Sequence, residues 1–253
     1  MVLEVASPLP QTCSSAIWLW PGAALYAGQS LNLAPHSGSV WCLAVGVDRP
    51  LTVLTPDGTA RDAHSVLIPP RLTHQLICHG GLLVSAYLEP TSNRADACRT
   101  GFSRWVDGIG VHHAAEDQLT FTPDDDQSAR HWLDLAAPTT ERVIDPRIAL
   151  AAARIRADPA ASPSSRELAA EAGLSESRFL HLFRDEVGTS LRRYRLWVRL
   201  LAAGAAISAG KNLTTAAVDS GFASPSHLSD RFKATFGLSA TQLLGTGAVL
   251  RMS

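Results

Sequence analysis

The pattern of apolar and polar positions changes about halfway along the chain. From about Ala16 to Leu88, short runs rich in Val, Leu, Ile and Trp alternate with Gly, Pro and Asp, which is typical of β-strands. The clearest predicted strands are residues 39–46, 51–54, 64–68, 74–78 and 82–88, with a turn at Pro-Asp-Gly 56–58. Several short strands at this spacing predict a small barrel or sandwich.

The strand pattern ends near residue 88, and residues 89–123 are harder to interpret. A helix is predicted at residues 95–106, whereas residues 108–123 carry no clear pattern. Residues 124–136 predict an amphipathic helix, because an acidic start precedes one apolar face made of Ala129, Trp132, Leu133 and Ala136. Trp132 would be exposed unless covered, so we expect this helix to form a dimer contact or to dock the two halves of the chain.

Every element predicted after the linker at residues 137–140 is a helix. Asp145 with Pro146 predicts a helix that ends near Ala157, and Ser164 with Glu167 has the spacing of a capping box. A long helix is predicted from residue 191 to about 208, and a last short helix begins near Ala240.

One segment of this helical region occurs twice, 49 residues apart. Offsets of 4, 8, 12 and 13 residues from Ser175 give Phe179, Phe183, Val187 and Gly188, and the same offsets from Ser224 give Leu228, Phe232, Phe236 and Gly237. Each copy predicts a helix with a hydroxyl N-cap, one buried stripe and a C-cap glycine. A short helix and a glycine turn, at Gly173 and at Gly221, precede the copies. The sequence therefore predicts two helix-turn-helix motifs whose repeated Phe side chains are core residues.

Charge divides the chain at the same place. Residues 141–253 carry 15 Lys+Arg against 10 Asp+Glu, a net +5, whereas residues 1–140 carry 7 against 13, a net −6. A basic helical half indicates an anionic partner such as a phosphate backbone. The four cysteines, at positions 13, 42, 78 and 98, form no closely spaced pair, and the apolar stretch at residues 16–27 is too short to span a bilayer. We expect a cytoplasmic protein that has no membrane partner.

The helical half resembles the AraC/XylS family of bacterial transcription regulators over residues 144–245. GFASPSHLSDRFKATFG is similar to the family signature, and SLRRYRLWVRLL is similar to its connecting helix. VLIPPRLTHQL resembles, more weakly, the cupin-like effector domain often fused to it. The resemblance implies an α+β fold with a cupin-like β-barrel at residues 1–122, an amphipathic helix and linker at 123–143, and a double helix-turn-helix domain at 144–253. Ala240 replaces a usual proline, and Asp230 a frequent arginine.

The predicted connecting helix sets how DNA would be read. Its 18 residues span about 27 Å, so with flanking turns it could hold two recognition helices about one DNA turn, ~34 Å, apart. The resemblance implies base contacts to double-stranded promoter DNA from Ser177, Leu180 and His181 and from Ser226, His227 and Asp230; Ser229 shares their face. Phosphate contacts are expected from Arg178, Arg184, Arg193, Arg199 and Lys233. For any single arginine the alternative is a solvated face.

The N-terminal half is expected to bind a small-molecule effector within the barrel. Plausible lining residues are Trp18, Trp20, Trp41, Leu43 and Leu76, although a filled barrel core would use the same residues. The alternative is a metal-dependent cupin-type enzyme or metal sensor using His36, His64, His74 or Cys78. Because the paired histidines of metal-binding cupins are absent, we predict no metal, no cofactor and no enzyme. The resemblance also implies RNA polymerase contact and a homodimer.

Overall fold

The computed structural model describes residues 15–140, 143–161 and 163–252. The fold class is α+β, as predicted. The strands of the N-terminal half are β1 Ala16–Trp20, β2 Ala23–Gln29, β3 Trp41–Gly46, β4 Leu51–Leu54, β5 Ala60–Ala63, β6 Ser65–Ile68, β7 Gln75–Ile77, β8 Leu82–Leu88, β9 Phe102–Val106 and β10 Ile109–His113. The helices are α1 Asn93–Thr100, α2 Asp126–Ala136, α3 Pro146–Ala157, α4 Ser165–Glu171, α5 Glu176–Val187, α6 Leu191–Ser208, α7 Leu213–Asp219, α8 Pro225–Phe236 and α9 Ala240–Gly245. A last strand, β11, spans Val249–Met252.

The strands form two sheets. The larger sheet has the order β11-β1-β2-β8-β3-β6-β10-β9, and the smaller one has the order β5-β4-β7. β4 and β8 have the predicted bounds, and β3, β6 and β7 lie within the predicted ranges.

The helix predicted at residues 95–106 is wrong in its second half. α1 ends at Thr100, and residues 102–106 form β9, which pairs with β10 in a hairpin. Asp107 and Gly108 at the turn have φ of 49° and 79°, as a two-residue hairpin loop requires. The Asp-Gly pair was the sequence signal for this hairpin, and it explains why the chain turns back here.

The apolar face of α2 packs on the large sheet rather than docking on a partner. Trp132 is fully buried in one cluster with Trp18 and Leu43, and its Nε1 donates to the carbonyl of Leu119 at 3.1 Å. This corrects the expectation that Trp132 is available for a dimer contact, because the sheet already covers it. The domain bounds at 122 and 143 stay a prediction.

The C-terminus returns to the N-terminal sheet, which the sequence did not predict. β11 pairs in parallel with β1, from Ala16 opposite Val249 to Leu19 opposite Met252. Ser208, at the end of α6, donates from its Oγ to the carbonyl of Leu250 at 3.1 Å. The strand therefore joins the end of the helical half to the edge of the large sheet.

Candidate nucleic-acid interface

The two predicted helix-turn-helix motifs are present with their predicted caps. α4, the turn at Gly173 and α5 form the first motif, and α7, the turn at Gly221 and α8 form the second. The Ser175 side chain accepts a hydrogen bond from the backbone N–H of Arg178, and the Ser224 side chain accepts one from the backbone N–H of His227. Each recognition helix ends at a left-handed glycine, Gly188 with φ 69° and Gly237 with φ 83°. Ser239 likewise caps α9 despite the missing proline.

The buried stripes of the two recognition helices differ in their partners. Phe179 and Phe183 of α5 are fully buried, as predicted, in a cluster with residues of α3 and α6. Phe232 and Phe236 of α8 are only partly buried and also pack against a cluster of the N-terminal sheets. The second recognition helix thus rests on the N-terminal half.

The exposed face of α5 carries the predicted polar residues. Ser177, Arg178, His181 and Arg184 are exposed, and Leu180 is 39% exposed. An exposed leucine between polar side chains on a recognition helix suits an apolar contact to a thymine methyl group. All five residues proposed for the first motif therefore lie on the solvent-exposed surface of α5.

The corresponding face of α8 is partly engaged within the chain. Ser226, Asp230 and Lys233 are exposed, whereas His227 and Ser229 are half-buried. The His227 ring meets the Phe222 ring edge to face at 5.6 Å, and its Nε2 accepts from Nε of Arg231 at 3.2 Å. Arg231 is exposed and was not among the predicted contacts.

Two arginines predicted to contact phosphates are engaged elsewhere in this structure. Nη1 of Arg193 donates to the carbonyl of Gly38 at 3.1 Å, and Nε of Arg199 donates to the carbonyl of Pro159 at 3.1 Å. Burial lowers the pKa of Arg193, and nearby Arg71 and Arg192 lower it further. Arg193 therefore ties α6 to the N-terminal half, a role that sequence spacing alone gives no means to detect.

The end of α8 is bonded directly to the loop before β3. The N–H of Ala34 donates to the carbonyl of Gly237 at 2.8 Å, and the N–H of Ser37 donates to the carbonyl of Ala234 at 3.1 Å. A Cβ atom on Gly237 would lie 2.6 Å from the Ala34 carbonyl oxygen. Glycine is therefore needed here both for its positive φ and for the close approach of the loop.

An apolar cavity of about 110 Å³ lies between the large sheet and the helices. Its wall includes side chains of β1, β2 and β8, of α6 and α8, and Leu250 of β11. Among the described residues that line it none is charged, and the polar ones are Tyr26, Ser85 and Tyr87. Burial raises the pKa of both tyrosines, so both are neutral.

The five predicted effector-binding residues do not line this cavity. Trp18 and Leu43 are buried in the cluster beneath α2, with Trp41 packed against it, and Leu76 belongs to a different cluster. Trp20 lines a separate polar groove with Arg94, Arg130 and Asp134. These positions match the filled core that was the alternative for the same residues.

The histidines and cysteine weighed for metal binding are only partly brought together. His36 and His74 are buried with ring centroids 4.4 Å apart, whereas His64 contacts the Gly46 carbonyl. Burial lowers the pKa of His74 to about 4, with His36 adding to the effect. In the parts of the chain that the structure describes, no three or more His, Cys, Asp or Glu residues form a group able to hold a metal ion.

Comparison with known proteins supports the two helix-turn-helix motifs seen in the structure. Residues 168–245 match a family model described as a helix-turn-helix domain. No curated protein matches the chain. No helix within the described ranges is long and apolar enough to cross a membrane.

Solved structures share the fold over nearly the whole chain. An apo variant of ToxT from Vibrio cholerae is 11% identical, with a TM-score of 0.59 over 90% of this chain and 98% of ToxT. ToxT with a bound unsaturated fatty acid is 10% identical, with a TM-score of 0.51 over 92% of this chain and 93% of ToxT. The matched domain contains the duplicated motif, and we conclude that residues 168–245 form a helix-turn-helix domain within a chain that shares its fold with ToxT.

Proposed function

We propose that the chain is a sequence-specific regulator whose two recognition helices read successive major grooves of promoter DNA. The observation that carries this proposal is the pair of capped recognition helices, with exposed polar faces, on either side of the 18-residue α6. A helix of that length spans about 27 Å, which with the flanking turns approaches one DNA turn, ~34 Å. Each motif would then address one half-site on the same side of the duplex.

Mobility-shift titrations of the full chain on promoter DNA test this reading. His181→Ala removes an exposed side chain of α5, and Asp230→Ala removes one of α8. Because one specific contact to a base is worth about 1–3 kcal/mol, each variant should lose about 5- to 150-fold in affinity for the specific site. His131→Ala is the matched control, because His131 is exposed on α2 in the N-terminal half; this variant should bind DNA as the wild type does. Equal, salt-sensitive binding of every variant to any DNA would contradict specific reading.

The cavity supports a second part of the proposal, a small apolar effector. A cavity lined mainly by aliphatic and aromatic side chains suits a small apolar molecule, and ToxT, which shares the fold, has been solved with a bound unsaturated fatty acid. Phe232 and Phe236 of α8 form part of the wall. An effector bound there would contact the buried side of the second recognition helix.

A thermal-shift screen of the full chain against apolar compounds tests the effector site. A ligand of the native state raises the melting temperature with concentration. Leu243→Trp places a larger side chain in the cavity wall and should abolish the rise, whereas Leu244→Trp alters an adjacent residue that does not line the cavity. Loss of the rise in both variants, or in neither, would place the ligand elsewhere. Contacts with RNA polymerase and a homodimer stay predictions from the family.

A further inference from the structure

Arg231 stands out on the second recognition helix because nothing in the sequence pattern assigned it a role. It is exposed on α8, one helical turn after His227, and its Nε donates to Nε2 of that histidine at 3.2 Å. Within the described residues this is the side chain's one hydrogen bond or ion pair. The two terminal nitrogens of the guanidinium, which carry four N–H groups, are therefore available to a ligand.

His227 is itself held in place. Its ring packs edge to face against Phe222 at 5.6 Å, whereas the contact from the N–H of Ala223 to its Nδ1 is long, at 3.4 Å. A neutral imidazole has one acceptor nitrogen, so we assign the shorter contact, from Arg231, as the hydrogen bond. The ring then acts as a fixed acceptor that orients the guanidinium.

The hydrogen bond also decides the direction in which Arg231 extends. On the helix, Arg231 lies at the edge of the face that carries Ser226, His227 and Asp230, because successive residues turn by about 100°. Bonding to His227 draws the guanidinium from that edge toward the face. A guanidinium whose Nε is already bonded presents its terminal N–H groups as a planar fork, which matches O6 and N7 of guanine in the major groove.

We propose that Arg231 reads a guanine in the second half-site and that His227 is its positioning residue. Asp230, exposed beside it, would accept from a cytosine amino group, so the two neighbours favour the same kind of base pair. The inference rests on the proposed DNA-reading function and adds to it the residue and the base. The competing role is a phosphate contact, which would carry no base preference.

In vitro selection of DNA by the full chain, with the wild type, R231A and R231K, separates these roles. A bidentate contact to guanine gives about 5- to 150-fold discrimination, which R231A should lose at one base pair of the second half-site. Lysine keeps the charge but has no planar fork, so R231K should lose the same preference while keeping most of the affinity. R104A removes an exposed arginine on β9 of the N-terminal sheet and should leave the selected sequence unchanged.

The positioning role of His227 has its own variants. H227A frees the guanidinium and should weaken the guanine preference, whereas H227Q supplies an amide oxygen as acceptor and should retain most of it. Circular dichroism of each variant checks that α8 remains folded. An unchanged guanine preference in R231A, or a uniform loss of affinity that R231K restores, would overturn the assignment. Absence of any selected sequence with the wild type would instead refute the proposed function, and the inference with it.

Discussion

Glu89→Ala is expected to loosen the helical half from the N-terminal sheets. Glu89 follows β8 and is 1% exposed. Its Oε1 accepts from the Tyr194 hydroxyl at 2.7 Å and from Nη1 of Arg156 at 2.9 Å. These partners lie on α6 and α3, so one carboxylate oxygen joins two helices of the helical half to the sheet. The hydroxyl of Thr91 donates to the same oxygen.

The loss in the free energy of unfolding depends on which groups the substitution leaves without a partner. Losing one partner of a buried ion pair costs about 3–5 kcal/mol. The Arg156 side chain, however, is 41% exposed and can be solvated in the variant. Arg156 also donates to the Tyr194 hydroxyl at 2.7 Å, so that group keeps a partner. We therefore expect the free energy of unfolding to fall by about 2–4 kcal/mol, toward the lower end for a half-solvated pair.

Urea unfolding and hydrogen exchange measure this effect. Amides of α3 and α6 should exchange faster in Glu89→Ala, whereas α2, which packs in a separate cluster with the large sheet, serves as the internal control. Glu89→Gln keeps the size and an acceptor oxygen and should lose less stability. A loss below about 1 kcal/mol, the net worth of one ordinary hydrogen bond, would refute the view that this contact holds the two halves together.

Three further outcomes are expected. Truncation after residue 248 removes β11 and exposes the edge of β1, so the melting temperature should fall and hydrogen exchange in β1 should rise; unchanged protection would show that the strand does not contribute. Because burial lowers the pKa of His74 from 6.5 to about 4, the unfolded state binds more protons between these values. Stability should therefore decline as pH falls from 6.5 to 4, by at most about 3 kcal/mol, and a His74→Gln variant should show a flatter pH profile in urea titrations. Gly237→Ala combines a positive φ with a Cβ 2.6 Å from the Ala34 carbonyl oxygen, so it should destabilise the protein by more than about 1 kcal/mol in the same assay. The loss should exceed that of Gly188→Ala, which shares the strain of a positive φ but places its Cβ in open space.

Local signals in the sequence were enough to predict most helix bounds. Helices begin at the predicted caps, because capping involves residues three or fewer apart. The caps are Asp145 with Pro146, Ser164 with Glu167, and Ser224. The buried Phe179 and Phe183 follow from helical spacing in the same way. The Asp107-Gly108 turn was also a local signal, but its first strand, residues 102–106, fell within the stretch predicted as a helix, so the hairpin was missed.

Contacts between distant residues could not be predicted in this way. β11 is four residues long and gains its partner from β1, more than 200 positions earlier in the chain. The bond from Arg193 to Gly38 spans 155 positions, and an arginine on a basic helix has the same sequence pattern whether it meets DNA or a carbonyl group. The cavity arises from the same long-range packing, so its lining differs from the residues proposed for a barrel interior.

Hydroxyl-radical footprinting of the full chain on its promoter DNA tests the central claim most directly. Two recognition helices that read successive major grooves should protect two patches about 10 base pairs apart on one side of the duplex, and His181→Ala should weaken one patch more than the other. Continuous, sequence-independent protection that disappears as salt is raised would contradict the claim that this chain reads two half-sites.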